Sequence, residues 1–152
     1  MKTKIEKNYT YNGLLFPIKI PEVEMFFYEG EWHPRIDVLG LSEQIVQKLA
    51  LSNNRLLGTQ VKFIRSYFNM SLRDFASKIV GGLSHEAVNK WEKRGDLITN
   101  MDINVEKIIK LYICEKTMIT EGQESLFFKS YKKIRSLKKN SPSDKGTGLL
   151  LA

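Results

Sequence analysis

The rhythm of apolar positions changes along the chain, and the change predicts where strands give way to helices. In the first third, apolar residues come in short aromatic and β-branched runs, Gly13 to Pro21 (GLLFPIKIP) and Val23 to Tyr28 (VEMFFY). Their prolines would confine strands to sheet edges or strand ends. Two or three strands are expected. Glu29-Gly30-Glu31 reads as a turn, and Trp32 to Val38 as a returning extended segment. From Ser42 to Leu51 the spacing becomes helical, and Ser52-Asn53-Asn54 reads as a hinge.

The middle of the chain is periodic at three and four residues. Ser71 is placed to cap a helix carrying Leu72, Phe75, Ala76 and Ile79 on one face. Gly81 and Gly82 stop it, because residues without a Cβ allow the left-handed backbone of a sharp turn. Ser84 restarts the chain as a second N-cap. In the HEAVNKWEK run that follows, Ala87, Val88 and Trp91 share one side, with Trp91 expected as an anchor in the core, while His85, Glu86, Asn89, Lys90 and Lys93 lie elsewhere. Small Ala76 suits a close crossing of the two helices. Val105 to Lys116 adds an apolar stripe of Val105, Ile108, Ile109, Tyr112 and Ile113.

Toward the C-terminus, Leu126, Phe127, Tyr131, Ile134 and Leu137 form another helical stripe, with six basic side chains between Lys129 and Lys139. A helix docked with a solvated basic face, a phosphate contact and a dimer helix all fit this pattern; membrane attachment fits it least. Beyond Asn140 the composition predicts disorder, ending in an exposed apolar Leu149-Leu150-Leu151-Ala152 that would suit a protease-accessible tag. The expected fold class is therefore mainly α: a small β-rich unit with a linking helix over 1–51, a helical domain over 52–119, a basic amphipathic helix over 120–139 and a tail over 140–152.

Composition narrows the function classes. The chain of 152 residues has no apolar run of membrane-spanning length, and its MKTKIEKNY start lacks a secretory signal, so a soluble cytoplasmic protein without membrane contact is expected. The single cysteine, Cys114, sits in a helical pattern and reads as a reduced, buried thiol. Tetrahedral zinc needs about four ligands, and the chain offers Cys114, His33 and His85, so neither metal nor cofactor is expected. With no nucleophile motif, paired carboxylates or glycine-rich phosphate loop, nothing motivates an enzyme. The net charge of +7 is uneven: −1 over 1–51, +4 over 52–119 and +4 over 120–152. The basic excess coincides with the two-helix segment, where it would meet phosphates.

That segment resembles the phage-repressor (Xre) helix-turn-helix family, written around L-S-x-x-x-L-A, a glycine turn, S-x-x-x-V and W-E. The matching residues are Met70, Ser71, Phe75, Ala76, the glycine pair, Ser84, Val88, Trp91 and Glu92. The turn is about two residues longer than usual, and the Gln often found after the capping Ser is Leu72 here, so Arg73 would substitute at one phosphate. The long turn, Leu57 to Arg65 (LGTQVKFIR) with Thr59 as cap, and the helix from Val105 are similar to MqsA-type antitoxins. Those proteins carry two C-x-x-C pairs in their N-terminal domain, which this chain lacks.

The resemblance implies a sequence-specific DNA-binding regulator, an antitoxin-like repressor acting as a homodimer on a palindromic operator of double-stranded DNA. Its base-reading positions map to Ser84, His85, Glu86, Asn89 and Lys90. Thr59, Lys62, Arg65, Arg73, Lys93 and Arg94 are the candidate phosphate contacts. Glu92 is expected in a structural ion pair or hydrogen bond. The alternative is a protein-interaction module whose N-terminal segment masks a toxin or other partner, with DNA binding secondary.

Overall fold

A computed structural model describes residues 1–119, 124–142 and the backbone of 149–150. The chain divides into two compact units, 1–45 with 145–152, and 46–144. The division falls within a helix rather than at the expected hinge.

The first unit is a sheet built on antiparallel strands β1 (Thr3–Tyr11), β2 (Ile18–Tyr28) and β3 (Glu31–Pro34), with β2 in the centre. Tyr28 pairs with Glu31 across a two-residue turn. Glu29 and Gly30 take φ of 51° and 85° there, the primed-turn conformation whose twist suits a hairpin. The Ile18–Pro21 end of the first run read from sequence and the whole of the second belong to one strand that passes through Pro21. Proline has no N–H to give, and the β1 residue facing it, Asn8, leaves the ladder with φ 54° while pairing resumes on either side at Lys7↔Glu22 and Tyr9↔Ile20. Beyond the end of β3, the short strand β4 (Leu149–Leu150) pairs in parallel with Ile18 and Lys19. These two residues lie in the segment expected to be disordered; 143–148 and 151–152 fall outside the described residues.

The expected mainly α fold class is corrected by this sheet. Its antiparallel strands run 9, 11 and 4 residues, so the protein is mixed α and β. β1 escapes a reading by periodicity because its alternation, TKIEKNYTY, puts polar residues on both faces and buries none of them.

Helix α1 (Val38–Leu51) begins four residues before the predicted start. Asp37 accounts for this: its Oδ1 accepts the Gly40 N–H at 3.1 Å and its carbonyl accepts the Leu41 N–H at 2.9 Å. Buried apolar residues of the first unit are Ile18, Val23, Met25, Leu41 and Ile45.

The second unit is helical. It contains α2 (Gly58–Tyr67), α3 (Leu72–Asp74), α4 (His85–Lys93), α5 (Ile103–Cys114) and α6 (Glu124–Arg135). α3 continues as a π-helical stretch, Phe75–Val80, and α5 as another, Glu115–Ile119. Fully buried Val61, Ile64, Phe75, Val88, Ile109 and Ile113 form the centre of its core. Ile108, expected on the buried stripe, is 41% exposed.

A buried polar network fixes the segment read as a hinge. Lys110 Nζ donates to the carbonyls of Ser52 (2.7 Å) and Asn54 (2.8 Å). Arg55 forms an ion pair with Glu106, and its other nitrogens donate to the carbonyls of Met101 and Lys139, both at 2.6 Å. Glu106 also accepts the Leu56 N–H. Such a network satisfies charges that would be costly to bury alone.

On α6 the buried positions are Ser130 and Ile134, followed by Leu137 just past its end, so the stripe is rotated from the predicted one. Leu126, Phe128 and Tyr131 are exposed, as are the six basic residues from Lys129 to Lys139. Residues 120–123 of the predicted helix lie outside the described residues. No helix of the described residues is long and apolar enough to cross a membrane.

Candidate nucleic-acid interface

The segment from Ser71 to Lys93 is built from its caps outward. Ser71 Oγ accepts the Asp74 N–H at 3.0 Å, and Asp74 Oδ2 accepts the Ser71 N–H in return at 3.4 Å. The expected α-helix to Ile79 widens after Asp74 into the π-helical stretch, which ends with the Gly81 N–H donating to the Ala76 carbonyl at 2.9 Å. Gly81 and Gly82 both take φ of 70°, a region closed to most residues with a Cβ. Ser84 then caps α4, its Oγ accepting the Ala87 N–H at 3.3 Å.

α4 turns one residue fully inward and leaves its opposite face to solvent. Val88 is completely buried, with Ala87 and Trp91 half-buried beside it. At about 100° per residue, Glu86, Lys90 and Lys93 stand roughly 140° to 200° around the axis from Val88. All three are exposed, and Ser84 is exposed at the helix start. Asn89 and His85 are half-buried and sit on the flank. The candidate base-reading residues thus share one helix, but Lys93, assigned to phosphates, is more central to its outer face than His85.

A clamp between α2 and α4 sets the angle of that face. Arg65 donates two nitrogens to Glu92, at 2.7 Å and 2.9 Å, and a third to the Met70 carbonyl at 3.0 Å. The hydrogen bond to Glu92 is the main cause that raises the Arg65 pKa, and burial opposes it. Glu92 makes the structural pair expected of it. Arg65, read from sequence as a phosphate contact, instead has its guanidinium committed to the fold. Nothing in the sequence hints at this beyond the matching charges.

Gly58 is the second part of the clamp, and its role is not legible in the sequence. A Cβ there would stand 2.5 Å from the Trp91 carbonyl oxygen and 2.7 Å from the Gly95 nitrogen. The Gly58 N–H donates to the Leu97 carbonyl (3.2 Å) and the Thr59 N–H to the Gly95 carbonyl (2.9 Å). Thr59 is therefore inside α2, not its cap. The capping interaction comes from Gln60, whose Oε1 accepts the Leu57 N–H at 2.9 Å.

Of the other phosphate candidates, Lys62, Arg73, Lys93 and Arg94 are exposed, whereas Thr59 is half-buried. Arg94 spends one nitrogen on the Ile98 carbonyl at 3.0 Å. Exposed Lys78, an i,i+4 neighbour of Asp74 at 3.9 Å, adds a cation close to the glycine turn that the motif does not include. Among the described residues, no group of three or more His, Cys, Asp or Glu side chains is arranged to hold a metal.

Compared with family models, curated proteins and solved structures, the chain matches none. The likeness to a helix-turn-helix therefore stands on the residues and geometry described above.

Proposed function

We propose that this is a sequence-specific DNA-binding regulator, a cytoplasmic, antitoxin-like repressor that acts by occupancy of a palindromic operator as a homodimer. The observation that carries the reading is α4: a helix capped at Ser84 after a two-glycine turn, anchored by buried Val88, with Glu86, Lys90 and Lys93 on its solvent face. A helix so held can enter a major groove without rearranging, and those side-chain types can read base edges or phosphates. A dimer follows from energetics. One short helix reads few base pairs, whereas two placed roughly 34 Å apart sum their discrimination. Selection from random duplex DNA, followed by affinity measurement on the winner and a scrambled control, tests the reading. Failure to enrich any sequence ends it.

A second reading has its own observation. The sheet leaves Phe27, Tyr28 and Trp32 exposed by 37%, 56% and 36%. Aromatic side chains of this kind are common anchors at protein interfaces, as a toxin-masking module would require. A partner that co-purifies at high salt with the intact protein, and is lost on Tyr28→Ser with Trp32→Ser, would favour it.

A further inference from the structure

The outer edge of β1 has the polar groups and side chains to pair with another copy of itself. β1 is terminal in its sheet, and among the described residues no strand pairs with its outer side. Which backbone groups face that side follows from two hydrogen bonds. The Phe27 N–H donates to the Lys2 carbonyl at 3.0 Å, so the residues of β1 in register with Lys2, namely Lys4 and Glu6, turn their N–H and C=O toward β2. On the far side of β2, the Arg35 N–H donates to the Glu24 carbonyl at 2.8 Å, which fixes the same alternation independently. Thr3, Ile5 and Lys7 consequently turn their N–H and C=O outward.

We infer that β1 pairs antiparallel with β1 of a second copy about a two-fold axis through Ile5, joining two sheets into one. In that register Ile5 faces Ile5, and Thr3 faces Lys7 in both directions. All of these are residues with outward backbone groups, so the edge closes with reciprocal N–H to C=O bonds. Lys4 then faces Glu6 of the other copy, twice, in the non-hydrogen-bonded positions where side chains approach most closely. Neither Lys4 nor Glu6 has an ion-pair partner among the described residues; Lys4 lies 4.5 Å over the Trp32 ring. Ile5, 60% exposed in one copy, is covered by its own mate. A shift of the axis by one residue, to Lys4 or Glu6, would keep the outward backbone groups opposite one another but set Lys4 against Lys4 or Glu6 against Glu6. Hydrogen-bond parity requires the axis to pass through a residue, and the charge pattern selects Ile5 as that residue.

This supplies an interface for the proposed homodimer, and it rests on that reading only for the use to which the dimer is put. Sedimentation of the full chain separates the two questions, because it reads mass without DNA. The unaltered protein sediments at twice the 17.6 kDa chain mass. Lys4→Glu and Glu6→Lys each reduce it to one chain mass by opposing like charges. An equimolar mixture of the two variants restores the double mass, since at these two positions one strand is then wholly acidic and the strand it faces wholly basic. Ile5→Cys, at an exposed position, gives a covalent dimer under mild oxidation, whereas Thr10→Cys does not. A monomeric unaltered protein overturns the inference. So does a dimer that persists in both single reversals, a mixture of folded variants that stays monomeric, or an Ile5→Cys dimer that does not cross-link.

Discussion

At the scale of single residues, the buried charges of the helical unit distinguish this protein from one whose charges all lie in solvent. Glu106 is fully buried and is the counter-charge of the buried Arg55 guanidinium, while the Arg35–Glu24 pair is exposed on both sides. Glu106→Gln leaves a cation without its partner in the interior, at a cost of roughly 3–5 kcal/mol. Arg35→Ala removes a pair worth about 0–1 kcal/mol. Thermal or denaturant unfolding of both variants checks the contrast, and equal losses would show that the network is not holding Ser52 to Leu57 in place. Cys114 makes a separate prediction. Burial pushes its thiol up to about 11 from an ordinary 9.0. Between these values the unfolded chain has released the proton that the folded chain keeps, so stability falls as pH rises from about 9 to about 11 and is unaffected below. Cys114→Ala removes that component of the slope, and a thiol reagent at neutral pH reacts only as the protein unfolds.

At the scale of elements, what is legible in the sequence is whatever a local rule governs. Ser71 and Ser84 are recognisable as caps because a hydroxyl before an apolar-periodic run has one common use, and both accept the expected N–H. The glycine turn is legible for the same reason. β1 is not, because recognising an exposed strand by hydrophobic alternation requires a buried face, which it lacks. Arg65 is ambiguous in the sequence because a basic residue near a capped amphipathic helix looks alike whether it is free to meet a phosphate or pairs with Glu92, twenty-seven positions away. Gly58 is silent because its reason lies in the backbone of α4, not in its neighbours. Gly58→Ala tests that explanation. Helix propensity alone favours alanine by about 1 kcal/mol. The 2.5 Å approach to the Trp91 carbonyl requires α2 and α4 to separate, which costs about 1–3 kcal/mol as overpacking does elsewhere. A net loss of stability in chemical denaturation is expected, and a gain would mean that the close approach has room to relax.

At the scale of the whole molecule, the unequal charge distribution becomes a prediction about salt. If the protein binds DNA as proposed, the +4 of residues 52–119 against the −1 of residues 1–51 would put the attraction for phosphates in that basic segment. Each phosphate neutralised there releases a counterion, so log K falls against log salt with a slope near −0.9 per contact. Lys62→Ala should reduce the magnitude of this slope by about 1 and weaken selected and scrambled duplexes alike. Lys90→Ala, on the outward face of α4, should cost about 1–3 kcal/mol on the selected duplex and much less on the scrambled one. Glu86 lies on the same face with the opposite sign, which makes it a repulsive element toward phosphates. Its removal is expected to strengthen binding to scrambled DNA more than to the selected site, so that affinity rises while discrimination falls. Salt titrations of the three variants on both duplexes separate these effects. If Lys90→Ala and Lys62→Ala lower both affinities by the same factor, the outward face of α4 contributes charge but does not read bases.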